Sequence, residues 1–421
     1  MNIEIRVESW STDRLAPYAR HLRKNEHAVD RMVASIQEFG FKIPILARKN
    51  GEVVDGDLRL KAARAMGIAV VPVVLCDEWT EAQVKAFRLM VNRSTTWAQF
   101  DLELVALEME DLKALDFDLE LTGFDRREID KFLFDDDQEA KLDADIPEPE
   151  QDAVTQTGDV WVLGRHRVRC GDATSEEHVG LLLGEAKPGV MITDPPYGVA
   201  YDPNWRERAG LGRQRQTGIV ANDNQADWSP AFRLFPGDVA YLWHAGVHAA
   251  KVAAGLESAG FRIRAQIIWA KQHFALSRGD YHWQHEPAWY AVREGKSSRW
   301  CGDRTQSTLW QVPNLNPIGG SRDEAATGHG TQKPIELMRR PILNHTNRHD
   351  LVYDPFLGSG TTLIAADLTE RICYGLEIDA RYVDVIVRRW QNHTGRTAVL
   401  EADGRSFDEV AAGRMSTAVE I

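Results

Sequence analysis

The chain has 421 residues, 43% of them hydrophobic, a formal charge of −13 and four cysteines. That length exceeds one ordinary core, so two domains are expected. No apolar run approaches the roughly 18 residues of a membrane span, and the opening MNIEIRVESW lacks the shape of a secretory signal. Cys76, Cys170, Cys301 and Cys373 lie far apart with no Cys-x-x-Cys, which argues against zinc and against a disulfide framework and fits a reducing cytoplasm; no metal is expected. The acidity is uneven. Residues 1–155 hold 20 Lys and Arg against 32 Asp and Glu, whereas residues 156–421 hold 30 against 31. The second part can therefore still present a local basic groove to a polyanion once salt screens distant charge.

In chain order, Val29, Met32, Val33, Ile36 and Phe39 share a helical face, and Gly40 is placed to end that helix. Ile43–Ala47 reads as a short strand that Pro44 assigns to a sheet edge. Glu52–Val54 is a second strand, running into Asp55-Gly56-Asp57-Leu58-Arg59, and the helix that continues through Leu60–Met66 stops at Gly67. Val70–Leu75 is a third strand. Thr80-Glu81-Ala82-Gln83 has capping-box spacing ahead of a helix, and Leu102–Leu115 is another amphipathic helix. Asp135–Thr155, acidic and poor in large apolar residues, reads as a linker.

Beyond it, Trp161–Cys170 reads as a hairpin turning at Gly164-Arg165. Val190–Thr193, Val239–Trp243, Ile263–Trp269, Ala288–Val292, Leu351–Tyr353 and Ile372–Leu376 are strands, with helical stretches between most of them. This alternation predicts a doubly wound, mostly parallel α/β sheet.

Two loops carry the chemistry. Asp354-Pro355-Phe356-Leu357-Gly358-Ser359-Gly360 joins a strand to the helix starting at Thr361, and Glu377 ends the next strand, 17 residues past Gly360. Glycines let the backbone approach a ligand, a helix N-terminus offers free N–H groups, and an acid at about that distance can bond ribose hydroxyls. Asp194-Pro195-Pro196-Tyr197 ends a buried strand, so its side chains project from the carboxyl edge of the sheet. A carboxylate and a proline-flanked carbonyl suit an exocyclic amine, whose lone pair is delocalised into its ring. Two acceptors on its two hydrogens favour a more tetrahedral, nucleophilic nitrogen, and most of the acceleration then comes from positioning.

In that order the two loops resemble the catalytic and cofactor loops of β-class DNA amino-methyltransferases. The resemblance covers about Gly158–Arg414 and implies a Rossmann-like fold that moves a methyl group from S-adenosylmethionine to a base nitrogen in double-stranded DNA, with the base flipped out. It implies catalytic roles for Asp194, Pro195, Pro196 and Tyr197, the last stacking on the base. It implies a cofactor site of Asp172, Ala173, Lys333, Asp354, Phe356, Gly358, Gly360, Thr361 and Glu377. Asp172 and Ala173 would hold the adenine, and Lys333, in Thr331-Gln332-Lys333-Pro334, would border the methionine end. Asp at position 194, rather than Ser, resembles the N6-adenine enzymes; N4 of cytosine, or RNA, stays open. Gln284-His285-Glu286-Pro287 resembles the strand region packed near the target base. Residues 296–329 fill the target-recognition interval, where Arg299, Arg304 and Arg322 are candidates for phosphate or guanine contacts and Trp300 and Trp310 for stacking. Arg206 and Arg213, in the loop 202–216, are candidates for closing over DNA.

Residues 1–134 resemble the ParB/sulfiredoxin-like N-terminal domain through Gly40–Ile45, Val54–Ala63 and Val71-Pro72-Val73. There a Gly-x-x-Arg turn, here Gly56 and Arg59, meets nucleotide phosphates or DNA, and Asp57 departs from that pattern because an acid opposes a phosphate. The expected organisation is thus a ParB-like domain at 1–134, a linker at 135–155 and a methyltransferase domain at 156–414 that could pair as a homodimer. A ParB-like binding protein with a non-catalytic methyltransferase fold is the competing expectation.

Overall fold

The computed structural model describes residues 5–18, 28–94, 97–98, 100–133, 136–199, 222–275, 280–302, 306–313 and 332–418. The chain divides into two compact units, Met1–Phe134 and Asp135–Ile421. Among the described residues no helix is long and apolar enough to cross a membrane.

In the first unit, β1 (Val7–Ser11), β2 (Ile45–Ala47), β3 (Val53–Asp55) and β4 (Val70–Leu75) form a sheet in the order β1-β4-β2-β3. Its core gathers Trp10, Ile45, Leu60, Val71 and Val73. The helix Val29–Phe39 ends as expected, with Gly40 at φ +75° donating its N–H to the Ile36 carbonyl. The capping box also forms: Thr80 donates its N–H to Gln83 Oε1 at 2.8 Å, and Gln83 donates its own to Thr80 Oγ1 at 3.3 Å. The edge assignment of β2 is corrected. β2 lies between β4 and β3, and Pro44 precedes the strand, where its missing N–H removes no ladder bond.

The second unit is a ten-stranded sheet. Its strands are β5 (Val160–Leu163), β6 (His166–Cys170), β7 (Val190–Thr193), β8 (Val239–Trp243), β9 (Phe261–Ala275), β10 (Trp283–Arg293), β11 (Leu309–Gln311), β12 (Leu351–Asp354), β13 (Ile372–Glu377) and β14 (Val399–Leu400). Their order is β11-β9-β10-β8-β7-β12-β13-β6-β5-β14. The central five, β8-β7-β12-β13-β6, are mutually parallel. Every residue of β7 and β8 is buried, because apolar layers cover both faces. Val190, Ile192, Tyr241 and Trp243 pack on one side, Met191, Ala240 and Leu242 on the other, as the two-residue period of a strand requires. Antiparallel pairs close the margins at β8–β10, β10–β9, β6–β5 and β5–β14.

From β7 the chain moves outward through β8 to β11, then returns to β12 on the other flank of β7. Strand order reverses between these two neighbours, and open α/β sheets bind ligands at the carboxyl ends of strands at such a point.

The stretch read as a linker is folded into this unit. Asp136–Ala144 is a helix. Its Glu139 accepts from Arg339 Nε at 2.9 Å, and Asp143 caps the helix Ile335–His345 by accepting the Ile335 N–H, with Arg389 3.8 Å away. Asp384 holds the N–H groups of Val154 and Thr155 at 2.6 and 3.0 Å. Acidic composition signalled a solvated segment, yet two of its carboxylates, Glu139 and Asp143, are buried and matched to donors of the second unit. Burial raises the Asp143 carboxyl to about 7, against the opposing Ile335 N–H and Arg389.

Candidate active site

β7 delivers Asp194 to the carboxyl edge, and the Pro195-Pro196 pair stiffens the turn that follows. Two residues from further along the chain brace it. Trp228 Nε1 donates to the Pro196 carbonyl at 2.9 Å, and Asp223 Oδ1 accepts the Gly198 N–H at 3.0 Å. Position 198 requires glycine: its φ is +73°, and a Cβ would sit 2.7 Å from the Gln225 carbonyl carbon. The Pro195 carbonyl has no hydrogen-bond partner among the described residues.

Asp194 is held on one side only. Its Oδ2 accepts from Lys333 Nζ at 2.7 Å, while Oδ1, withdrawn from solvent, has no partner among the described residues. Lys333 also reaches Glu286 Oε2 at 3.0 Å, and the same oxygen accepts the Tyr197 hydroxyl at 3.0 Å. Lys271 closes on Glu286 Oε1. Burial pushes Asp194 above the usual carboxylate range, with the Lys333 ammonium opposing it. Burial would push Glu286 up as well, but Lys333 and Lys271 together hold it down at about 2. Burial opposes the charge on Lys333, but Asp194 and Glu286 beside it raise its pKa above the usual lysine value.

β12, adjacent to β7, brings the second loop alongside. Asp354 is buried and tied by Thr193 Oγ1 and Thr362 Oγ1, each at 2.6 Å, and by the Phe356 N–H at 3.0 Å. This stitches the end of β7 to the start of the helix Thr361–Leu368. Gly360 caps that helix at φ +86°, and a Cβ there would press on Ile386 at 3.1 Å. Glu377, ending β13, accepts the Gly358 N–H at 2.8 Å and the Asp379 N–H at 2.9 Å. Withdrawal from water raises its carboxyl to about 7 against those two bonds. The two loops open on one cavity of about 280 Å³, also lined by Asp172, Ala173, Trp228, Ile378 and Tyr382.

Residues 190–388 match the family described as DNA methylase, of the N6/N4 type. The chain carries an N6/N4 DNA methylase domain. Residues 103–157 match the ParB-methyltransferase HTH domain, so the methylase domain is fused to a ParB-like N-terminal part. That second match spans the helices Leu102–Ala114, Arg126–Phe132 and Asp136–Ala144, and so includes the supposed linker. The Type II methyltransferase M2.MboI of Moraxella bovis is 27% identical over 225 residues, 49% of this chain and 81% of that protein. The DNA adenine methyltransferase YhdJ of Escherichia coli (strain K12) is 27% identical over 158 residues, 31% of this chain and 52% of that protein. The solved PvuII DNA methyltransferase (cytosine-N4-specific) is 16% identical, with a TM-score of 0.40 over 64% of this chain and 97% of that one.

The cofactor of the methylase domain is S-adenosylmethionine. The cavity fits such a ligand: a glycine loop and helix N-terminus on one wall, a carboxylate with spare lone pairs at Glu377, and apolar Phe356 and Ile378 beside Asp172 and Ala173. Of the nine residues expected there, all but Gly360 line the cavity; Gly360 acts from behind, as the helix cap. Lys333 lines it too, but its ammonium is engaged by Asp194 and Glu286 rather than free for the carboxylate of a methionine.

The DNA-contact expectations fare differently. Arg206, Arg213, Arg304 and Arg322 lie outside the described residues. Arg299 sits beside Gly189, at the amino end of β7, roughly 16 Å of strand from Asp194. It is on the wrong edge of the sheet, because β10 runs antiparallel to β7's neighbour and delivers the chain there. Trp310 is core: it is buried on β11 and bonds the Ser307 carbonyl, which removes it from any stacking role. In the first unit, Arg59 turns back onto Asp55 Oδ2 at 2.8 Å and the Pro44 carbonyl at 3.4 Å, so the Gly56 turn presents no free guanidinium.

Sequence reasoning missed Lys271, Thr193, Thr362, Asp223 and Trp228. Only the polar Thr193 ending an otherwise apolar strand was a usable signal.

Proposed function

We propose that this chain transfers the methyl group of S-adenosylmethionine to N6 of adenine in double-stranded DNA. The observation that carries the reading is a pair of acceptors without partners among the described residues, the buried Asp194 Oδ1 and the Pro195 carbonyl, both from residues that line a nucleoside-sized cavity. Buried acceptors without donors are uncommon, and an –NH2 group supplies two hydrogens. When bound, the cofactor supplies an electrophilic sulfonium methyl. Asp194 Oδ1 accepts one hydrogen of the amine and the Pro195 carbonyl the other, which localises the lone pair. Burial raises the proton affinity of Asp194, so Oδ1 can take the proton that the methylated nitrogen sheds. Tyr197 offers its ring as a stacking surface, with its hydroxyl anchored on Glu286. Flipping the base costs a few kcal/mol, which stacking and edge contacts offset.

Adenine is supported by the carboxylate at position 194 and by the E. coli relative, whose name specifies adenine. The test is incubation with labelled methyl donor and unmethylated DNA, followed by nucleoside analysis. Label in N6-methyl-2′-deoxyadenosine is expected; label in N4-methyl-2′-deoxycytidine would overturn the base assignment, and no label in any DNA would overturn the activity. Asp194→Ala should lower transfer by at least about 1,000-fold, since both acceptor and proton site are lost. Its affinity for S-adenosylhomocysteine, measured by calorimetry, should stay within about threefold.

A further inference from the structure

Glu286 joins the β9–β10 hairpin to the Asp194 loop. Lys271 lies on β9 and Glu286 on β10, and the register pairs Glu286 with Trp269, so Lys271 is two residues on and faces the same side. Glu286 then makes three contacts: Lys271 on Oε1, and both Lys333 (3.0 Å) and Tyr197 (3.0 Å) on Oε2. Lys333, its side chain 4% exposed, is clamped between Glu286 and Asp194. One carboxylate therefore connects to both functional side chains of the catalytic loop: to the acceptor through Lys333, and to the stacking ring directly. Two ammonium groups balance two carboxylates. Were Lys271 neutral, Glu286 would draw Lys333 away from Asp194; were Glu286 neutral, the two cations would face one anion.

We infer that Lys271 and Glu286 are a coupled pair of positioning residues that fix the Asp194 carboxylate and the Tyr197 ring in one arrangement through the charge balance of the four-residue network. The pair rests on the methyl-transfer reading and adds to it two residues that never touch the reacting atoms. A buried charge left unmatched disturbs its neighbours more than a matched pair removed together, so the two positions should show strong non-additivity.

The experiment compares single-turnover transfer rates on unmethylated DNA, and S-adenosylhomocysteine affinity, for the full chain, Lys271→Met, Glu286→Gln and the double variant. Glutamine keeps an oxygen for Tyr197 and Lys333 but turns an amide N–H towards Lys271; methionine at 271 removes that conflict. The expected result is a rate loss of about 100-fold for Glu286→Gln and about tenfold for Lys271→Met, with the double variant recovering at least about tenfold over Glu286→Gln. Cofactor-analogue affinity should stay within about threefold throughout. A wild-type rate in Glu286→Gln, or a double variant as slow as the product of the singles, overturns the pair. A parent chain that transfers no methyl group overturns the activity itself, which separates the two failures. If Glu286→Gln does not fold, Lys271→Met decides alone: a slower rate at unchanged affinity supports the pair, and an unchanged rate or an equal loss of both overturns it.

Discussion

The chain uses one local device twice, with opposite results. At Val53–Asp55 and at Leu351–Asp354 a strand ends in an aspartate, and a left-handed glycine then caps a helix: Gly56 at φ +105° and Gly360 at φ +86°. Around Gly360, Asp354 is absorbed by two threonine hydroxyls and a backbone N–H, Glu377 takes the Gly358 N–H, and the loop faces an open cavity. Around Gly56, Arg59 is spent on Asp55, and the helix opens with a second acid, Asp57, which pairs with Lys61. The strand–glycine–helix turn does not make a site. What decides is whether neighbouring side chains consume its charges internally or leave acceptors and space for a ligand.

The contrast can be broken first at Glu377. Glu377→Ala removes the carboxylate expected to take two ribose hydroxyls, and hydrogen bonds to charged groups contribute about 1.5–3 kcal/mol each. Calorimetry should show affinity for S-adenosylhomocysteine falling by at least tenfold; undiminished binding would remove Glu377 from the cofactor site.

A smaller effect follows from protonation. Asp354 at about 6 and Glu377 and Asp143 at about 7 all lie above the ordinary carboxylate range, chiefly through burial. A carboxyl raised in the folded state contributes stability fully present below its unfolded pKa and lost as pH rises through its folded value. The apo protein should therefore melt at lower temperature at pH 7.5 than at pH 5. Affinity for the analogue should move the other way, rising as Glu377 ionises, and Glu377→Gln should flatten that rise. A melting temperature that climbs over the same window would show that these groups do not dominate.

The smallest effect is expected at the other turn. Arg59→Ala should leave methyl transfer within about twofold, because its guanidinium is engaged locally, by Asp55 and the Pro44 carbonyl. Replacing Asp55 and Asp57 by Asn should instead free that guanidinium and raise the affinity for inorganic phosphate, read by calorimetry against the parent chain. No gain would mean that the acids are not what keeps the turn closed to anions.

Most of the parallel core was legible because its strands are short, wholly apolar and punctuated by Asp-Pro or glycine. β7 and β12 were placed from those signals alone. β1, β11 and β14 were not: β1 is exposed at four of its five positions, and the other two, at three and two residues, are too short to show a period. Within the site, Asp194, Tyr197 and Glu377 announce themselves by position. The partnership of Lys271 with Glu286 does not, because it depends on the register of a hairpin whose strands run 15 and 11 residues. The segment 135–155 misled for a related reason. Composition records its negative charges, but not that Arg339 and Arg389, some 200 residues later, are folded against them.

β7 and β12 touch in space although about 160 residues of chain separate Asp194 from Asp354, and β14 returns to pair with β5. Contacts so distant in sequence are slow to form and cannot be made piecemeal. During synthesis the half of the site that holds Asp194 leaves the ribosome long before the half that holds Glu377. A growing chain therefore carries the Asp194 loop before the glycine loop exists, and the complete site arrives late, when the strands from Leu351 onward slot in beside β7.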